Sequence, residues 1–149
     1  MKNIVVVDID GTIAKVGDRL KYLQQEKKDW DAFYEHCDED KPIREVIAVV
    51  ETLANNGFKL VFCTGRRKSV RKKTCEWIRR HIVLHNPSYK LLMRQDGDHR
   101  HDTDVKPELL AKARYTPDRV LCIFEDRDSM VKKWRELGFT CLQVNDGDF

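Results

Sequence analysis

The chain has 149 residues, of which 41% are apolar and 36% charged, and its net charge is +3. That length and apolar content suit one folded domain with a core and exclude a disordered chain. The small net charge excludes no class of partner, but no apolar run nears the roughly 18 residues of a membrane-spanning helix.

The first predicted element is a strand over Asn3–Val7. It runs into "VVVDIDGTI", Val5–Ile13, where β-branched apolar residues suited to a buried strand end in two carboxylates. Side chains two apart on a strand face the same side, so Asp8 and Asp10 are expected to emerge together at its carboxyl end. Such a pair repels, and one member stays protonated unless a cation sits between them. Gly11 permits the turn out of the strand. Asx-type turn residues capping a loop are the structural alternative for this stretch.

Residues Lys15–Pro42 stand outside any strand–helix alternation. Within them Trp30, Phe33, Tyr34 and Cys37 recur at helical spacing, with Asp29 as N-cap. The pattern reads as an amphipathic helix packed on the core. Its place just after the acidic pair makes the insertion a small cap overhanging that pair.

A helix is expected over Ile43–Asn56, from apolar Ile43, Val46, Ile47, Val50 and Leu53, and Asn56-Gly57 stops it. Strands follow at Phe58–Cys63, Tyr89–Met93, Arg119–Phe124 and Thr140–Val144, the Tyr89–Met93 signal being the weakest. Helical patterns lie between them at Arg67–His81, Lys106–Arg114 and Asp128–Leu137, the last closed by Gly138. This alternation implies a Rossmann-like α/β fold: a central parallel sheet between two helical layers, with the small helical cap inserted after the first strand. With no repeat, low-complexity tract or linker, one domain over residues 1–149 is expected, its cap spanning about 15–42. In such sheets ligands bind at the carboxyl ends of the strands, where Asp8 and Asp10 lie.

The five cysteines are widely spaced, with no CxxC pair, which argues against a zinc knuckle or a thioredoxin-like site. Cys63 and Cys122 fall in apolar runs and read as reduced core thiols. Together with an opening apolar run too short for a signal peptide, they point to a cytoplasmic location. The "RRKSVRKK" segment, Arg66–Lys73, and Arg79–Arg80 form a basic surface that is either simply solvated or a nucleic-acid contact.

Four pieces with chemical potential fall at strand ends or helix starts. Asp8 is placed to attack or to hold a metal, and Asp10 to shuttle a proton. Thr64-Gly65-Arg66 follows the second main strand, where a hydroxyl, free amides and a guanidinium suit phosphoryl oxygens. Lys106, at the start of a helix, can neutralise a phosphate or steady Asp8 as an anion. Glu125 and Asp126 follow a buried strand and offer hard oxygen ligands suited to Mg²⁺. Each alone is an ordinary turn or helix-end residue; their joint order is the signal. His99 and His101 alternate with Asp98 and Asp102, yet nothing else supplies tetrahedral zinc ligands, so the stretch reads as a solvated, phosphate-facing loop.

The order DxDGT, Thr, Lys, Glu-Asp resembles the haloacid dehalogenase-like hydrolase superfamily across almost the whole chain. The resemblance implies that Asp8 is a nucleophile forming an aspartyl-phosphate, and that Asp10 protonates the leaving group and then activates water. It also implies that Thr64 and Lys106 orient and neutralise the phosphoryl group. Mg²⁺ would be held by Asp8, the backbone carbonyl of Asp10, and Glu125/Asp126. "MRQDGDHRHDTDVK", Met93–Lys106, and the Gly-Asp-Phe at Gly147–Phe149 are similar to the 3′-phosphatase domain of phage polynucleotide kinase. That likeness implies substrate or site roles for Arg19, Gly65, Arg66, Arg94, Arg100 and Asp102. In that group Asp usually stands where this chain has Glu125, so which of Glu125 and Asp126 binds metal directly stays open. No GxxxxGK[ST] loop occurs, so 5′-phosphorylation is not expected.

The resemblance therefore implies a Mg²⁺-dependent phosphomonoesterase of nucleic-acid 3′ ends, DNA or RNA, with a separate kinase or ligase as a further partner class and no membrane partner. A nucleotidase or other small-molecule phosphatase is the alternative enzyme. A non-catalytic nucleic-acid-binding module is the alternative of another class.

Overall fold

A computed structural model describes all 149 residues. Strand β1, Ile4–Val7, is at most 1% exposed along its length, as a run of Ile and Val in the middle of a sheet must be. After it come the short β2, Ala14–Lys15, a 3₁₀ segment over Gly17–Tyr22, and helix α1, Trp30–Glu35. Strand β3, Lys41–Pro42, pairs antiparallel with β2 and closes the insertion at its base. Asp29 caps α1 as expected, its Oδ1 accepting from the Ala32 amide at 2.9 Å.

Helix α2, Arg44–Asn55, leads into β4, Lys59–Arg67. Helix α3, Arg71–His81, precedes β5, Tyr89–Arg94, and α4, Asp102–Lys112, precedes β6, Val120–Glu125. Helix α5, Asp128–Glu136, and β7, Cys141–Gln143, complete the chain. The five long-range strands form one parallel sheet in the order β5-β4-β1-β6-β7. The expected α/β/α layering is present. Val5, Val7, Leu60 and Phe62 pack under α2 and α3 with Ile47, Val50, Trp77 and Ile78. Ile4, Val6, Val61 and Cys63 pack on the opposite face under α4 and α5 with Leu110, Met130, Val131 and Trp134. Successive strand residues feed opposite layers, so the strands read as unbroken apolar runs.

Two boundaries differ from the sequence reading. The helix expected from Arg67 begins at Arg71, because β4 continues through Arg67 to pair with Arg94 of β5. The helix expected from Lys106 begins at Asp102, where His101 Nδ1 accepts from the Thr103 amide and Asp102 and Asp104 favour the positive end of the dipole. Lys106 therefore sits in the second turn of α4, not at its start, and Pro107 lies inside the helix. All five cysteines are free thiols. No helix is long and apolar enough to cross a membrane.

Candidate active site

The carboxyl edge of the sheet gathers the ends of β1, β4 and β6. Beyond β1, the amides of Thr12, Ile13 and Ala14 all donate to the Ile9 carbonyl, at 3.1, 3.0 and 3.0 Å. Gly11 makes this turn with φ +82°, and a Cβ there would collide with the Asp126 carboxylate. The turn carries Asp10 off the strand, and it divides the two aspartates between two charge clusters.

The first cluster is Asp8, Glu125, Asp126 and Lys106, all at most 5% exposed. One oxygen from each of the three carboxylates lies within 4.8 Å of the others. Lys106 Nζ donates to Asp8 Oδ1 at 2.8 Å and to Glu125 Oε2 at 2.9 Å. Thr12 Oγ1 lies 3.3 Å from Asp8 Oδ2 and 3.2 Å from Asp126 Oδ1, joining the two loops. Burial and the Glu125 charge push the Asp8 carboxyl well above its usual range, against the pull of Lys106. Burial and the Asp8 charge push Asp126 up to about 6. Burial works against the Lys106 ammonium, but Asp8 and Glu125 outweigh it and hold its pKa well above normal. With all three ionised, the carboxylates face one ammonium with a surplus of two negative charges, which suits a divalent cation. Opposite ligands of octahedral Mg²⁺ stand about 4 Å apart, close to the observed spread.

The second cluster surrounds Asp10. Arg66 donates to Asp10 Oδ1 through Nη2 at 2.7 Å and Nε at 3.1 Å, and Arg19 Nη2 donates to the same oxygen at 2.8 Å. Arg19 and Arg66 are 2% and 0% exposed. Their other donors go to Asp40, the Phe33 carbonyl and Thr74 Oγ1. Burial alone would raise the Asp10 pKa, but Arg66 and Arg19 overcome it and hold Asp10 at about 2.

One expectation changes here. Asp8 and Asp10 do not titrate as a repelling pair: the anion that raises Asp8 is Glu125, and the charges that govern Asp10 are guanidinium groups. Arg19 and Arg66, expected to have substrate or site roles, direct their donors to Asp10, Asp40, the Phe33 carbonyl and the Thr74 hydroxyl. Arg66 also leaves the basic surface expected over Arg66–Lys73, being wholly buried. Asp40, 6% exposed, is a residue that sequence reasoning missed. It binds both arginines, and its carbonyl accepts from Trp77 Nε1 at 2.8 Å. Only its place in an acidic cap segment hinted at it, and nothing in the spacing ties it to Arg19.

A third cluster braces the β4–α4 side. Arg94 Nε donates to the Gly65 carbonyl at 2.9 Å, and its other nitrogens reach the Asp98 and Arg100 carbonyls and the Asp102 carboxylate. Arg127 Nη1 donates to Asp102 Oδ2 at 3.2 Å. Burial raises and Lys106, Arg94 and Arg127 lower the Asp102 pKa, with the net direction downward. A Cβ on Gly65 would strike the Asp102 carboxylate. Thr64, 1% exposed, lies at the carboxyl edge of β4 and accepts from the Arg66 amide at 3.1 Å. Arg100 stands apart, about half exposed and paired with Asp98 and Glu108. His99 and His101 join no metal-competent group; the three-carboxylate cluster is the one present.

Residues 2–149 match the family described as "Polynucleotide kinase PNKP phosphatase domain". The "Putative bifunctional polynucleotide kinase/RNA ligase" of Autographa californica nuclear polyhedrosis virus is 31% identical over 134 residues, 89% of this chain and 18% of that protein. A chain in the structure of the Pnkp1/Rnl/Hen1 RNA repair complex superposes with TM-score 0.79 at 30% identity, over 98% of this chain and 43% of that one. A haloacid dehalogenase-like family hydrolase from Streptococcus pneumoniae shares the fold, with TM-score 0.63 at 14% identity over 95% of this chain and 84% of that one. The chain spans less than half the length of the first two relatives. It belongs to the polynucleotide kinase PNKP phosphatase-domain family of haloacid dehalogenase-like phosphatases.

Proposed function

We propose that the chain acts as a single domain, residues 1–149 with a cap over about 15–42, and removes the 3′-phosphate from nucleic-acid ends with Mg²⁺ through an aspartyl-phosphate. One observation carries this reading: oxygens of Asp8, Glu125 and Asp126 converge within 4.8 Å of one another at the carboxyl edge of the sheet, beside the Lys106 ammonium, a site that suits a divalent cation next to a carboxylate nucleophile.

Asp8 attacks phosphorus in line. An Oδ–P bond forms as the bond from phosphorus to the sugar O3′ breaks, and Asp10 delivers the proton to that oxygen. With its pKa held at about 2, Asp10 is ionised in the resting site. A phosphate dianion arriving beside it raises its pKa, as any like charge does, and lets it carry the proton. In the second step Asp10 takes a proton from water, the water oxygen attacks phosphorus, and Asp8 is released. Arg19 and Arg66 hold Asp10 in place through both steps, and Asp40 holds the two arginines.

Lys106 favours the anionic form of Asp8 against burial and Glu125, and Thr64 offers its hydroxyl to a phosphoryl oxygen. Glu125 already accepts from Lys106 at Oε2 and from the Asp126 amide at Oε1. Asp8, Asp126 and the Asp10 carbonyl would hold the metal, and Glu125, through its bond from Lys106, positions that ammonium beside Asp8. Mg²⁺ held there supplies charge neutralisation and polarises a phosphoryl oxygen. Gly65, Arg94 and Asp102 brace the phosphate-binding turn, and Arg100, paired with Asp98 and Glu108, orders the 98–100 turn at its rim.

The named relatives, a kinase/RNA ligase and an RNA repair complex, support polynucleotide ends as the substrate and a kinase or ligase as partner. The test is a panel of a 3′-phosphorylated oligonucleotide, 3′- and 5′-mononucleotides and p-nitrophenyl phosphate, each with and without Mg²⁺. Metal-dependent phosphate release fastest on the oligonucleotide is expected. Equal or faster release from mononucleotides makes the chain a nucleotidase, and binding without hydrolysis makes it a non-catalytic module.

A further inference from the structure

Of the three tryptophans, Trp77 and Trp134 are buried at 0% and 1% exposure, while Trp30 is 42% exposed. A lone exposed aromatic is ordinary, but this one belongs to a built shelf. Its ring lies 6.1 Å from that of Tyr34 at an interplanar angle of 26°, and it rests edge-on against Phe33 at 5.7 Å. The Arg67 guanidinium covers the Tyr34 ring at 4.8 Å. Trp30, Tyr34, Arg67, Arg94 and the 98–100 turn line a cavity of about 170 Å³.

The charges around this cavity are already matched. Arg67 pairs with Asp31, Arg94 with Asp102, and Arg100 with Asp98 and Glu108. A cavity whose guanidinium groups are neutralised does not select a phosphate. What remains open is the 42%-exposed Trp30 ring, with Lys28 Nζ 6.0 Å from its centroid, a flat, polarisable surface that selects a planar ring. The shelf also reaches the reaction site. Tyr34 Oη donates to the Gly65 carbonyl at 3.4 Å, and Gly65 sits between Thr64 and Arg66.

We propose that the Trp30–Tyr34 shelf is a subsite for the nucleobase of the 3′-terminal nucleotide, placing its phosphate at Asp8. The proposal rests on the 3′-phosphatase reading above. A base that stacks on protein rings has left its partner strand, so the subsite takes single-stranded or frayed ends. Stacking of one base on an aromatic side chain contributes about 1–3 kcal/mol, which corresponds to roughly 5- to 150-fold in affinity.

The test compares two 3′-phosphorylated oligonucleotides, identical except that one carries an abasic terminal nucleotide. It uses the unaltered chain, Trp30→Ala and Trp30→Phe, with glycerol 2-phosphate as a substrate that has no ring. The unaltered chain is expected to prefer the base-bearing end at least tenfold in kcat/KM, through KM. Trp30→Ala is expected to erase that preference, and Trp30→Phe to keep most of it. The loss in Trp30→Ala should be at least tenfold larger on the base-bearing oligonucleotide than on glycerol 2-phosphate. Equal rates of the unaltered chain on both oligonucleotides overturn the subsite while leaving the 3′-phosphatase reading intact. The same loss on every substrate in Trp30→Ala also overturns it, because Trp30 then only props Phe33 and, behind it, Arg19. Failure of the unaltered chain to favour oligonucleotides over glycerol 2-phosphate overturns both.

Discussion

Arg66 grips Asp10 through two nitrogens, at 2.7 and 3.1 Å, from a strand 56 residues further along the chain. The guanidinium is wholly buried, so it acts on the carboxylate in a medium that screens it little.

Replacing Arg66 by Lys removes that fork and leaves a point charge. Asp10 then loses part of the pull that holds it at about 2, and its pKa rises. Arg66→Lys is expected to lower kcat/KM by about 100-fold or more, within the range that proton-transfer catalysis supplies. The acid limb of its pH–rate profile should move to higher pH. A profile that keeps its shape at lower amplitude would show that Arg66 does not tune Asp10.

Asp8→Asn removes the nucleophile and also one of the three crowded carboxylates. Turnover is expected to fall below detection in a phosphate-release assay. Since the Asp8 carboxylate is disfavoured by burial and by Glu125, the metal-free variant should melt higher at pH 7.5. A gain of about 1 kcal/mol corresponds to about 2–4 °C for a chain of this size. Unchanged or lower melting would mean that Lys106 fully compensates Asp8.

The metal-free stability should peak on the acid side of neutrality. Asp126 titrates at about 6 in the fold, above the roughly 3.9 of an unfolded chain. Between those values the folded state holds a proton that the unfolded state does not, so stability grows as pH falls from about 7 to 4. Asp10 has the opposite sign. Its pKa of about 2 lies below the unfolded value, so its contribution is present above about pH 4 and is lost as pH falls toward 2. Melting curves in chelator should show a maximum near pH 4–5. Excess Mg²⁺ should raise stability most at neutral pH, where protons do not compete for the cluster. Melting that falls steadily from pH 7 to 5 in chelator would contradict the assignment of Asp126.

Gly147 touches no reacting group, yet a Cβ there would run into the Asp126 carbonyl and the Arg127 backbone. The Asp128 amide also donates to the Gly147 carbonyl at 2.6 Å, tying the tail to the acidic loop. Gly147→Ala is expected to cost about 1–3 kcal/mol, the usual range for overpacking. It should also weaken Mg²⁺ activation by shifting Asp126. Titration of activity against Mg²⁺ checks this: an unchanged half-saturation with lowered melting would confine the effect to stability.

The chemical inventory was legible from local pattern. Asp8, Asp10, Thr64, Lys106, Glu125 and Asp126 stand out because each follows an apolar run or lies in a helix pattern, and the parallel sheet follows from the same runs. Their carboxyl ends converge as a parallel α/β sheet requires, with the oxygens of Asp8, Glu125 and Asp126 within 4.8 Å of one another. Periodicity is a property of neighbouring residues, so it resolves strands, helices and faces. It does not say which cation meets which anion. The turn held by the Ile9 carbonyl parts Asp10 from Asp8, and the cap brings Arg19 and Asp40 over the sheet to Arg66. Strand order then sets Glu125, not Asp10, as the anion that raises Asp8. Such pairings depend on contacts between residues distant in sequence, formed only when the sheet and cap close on each other, so only the tertiary structure decided them.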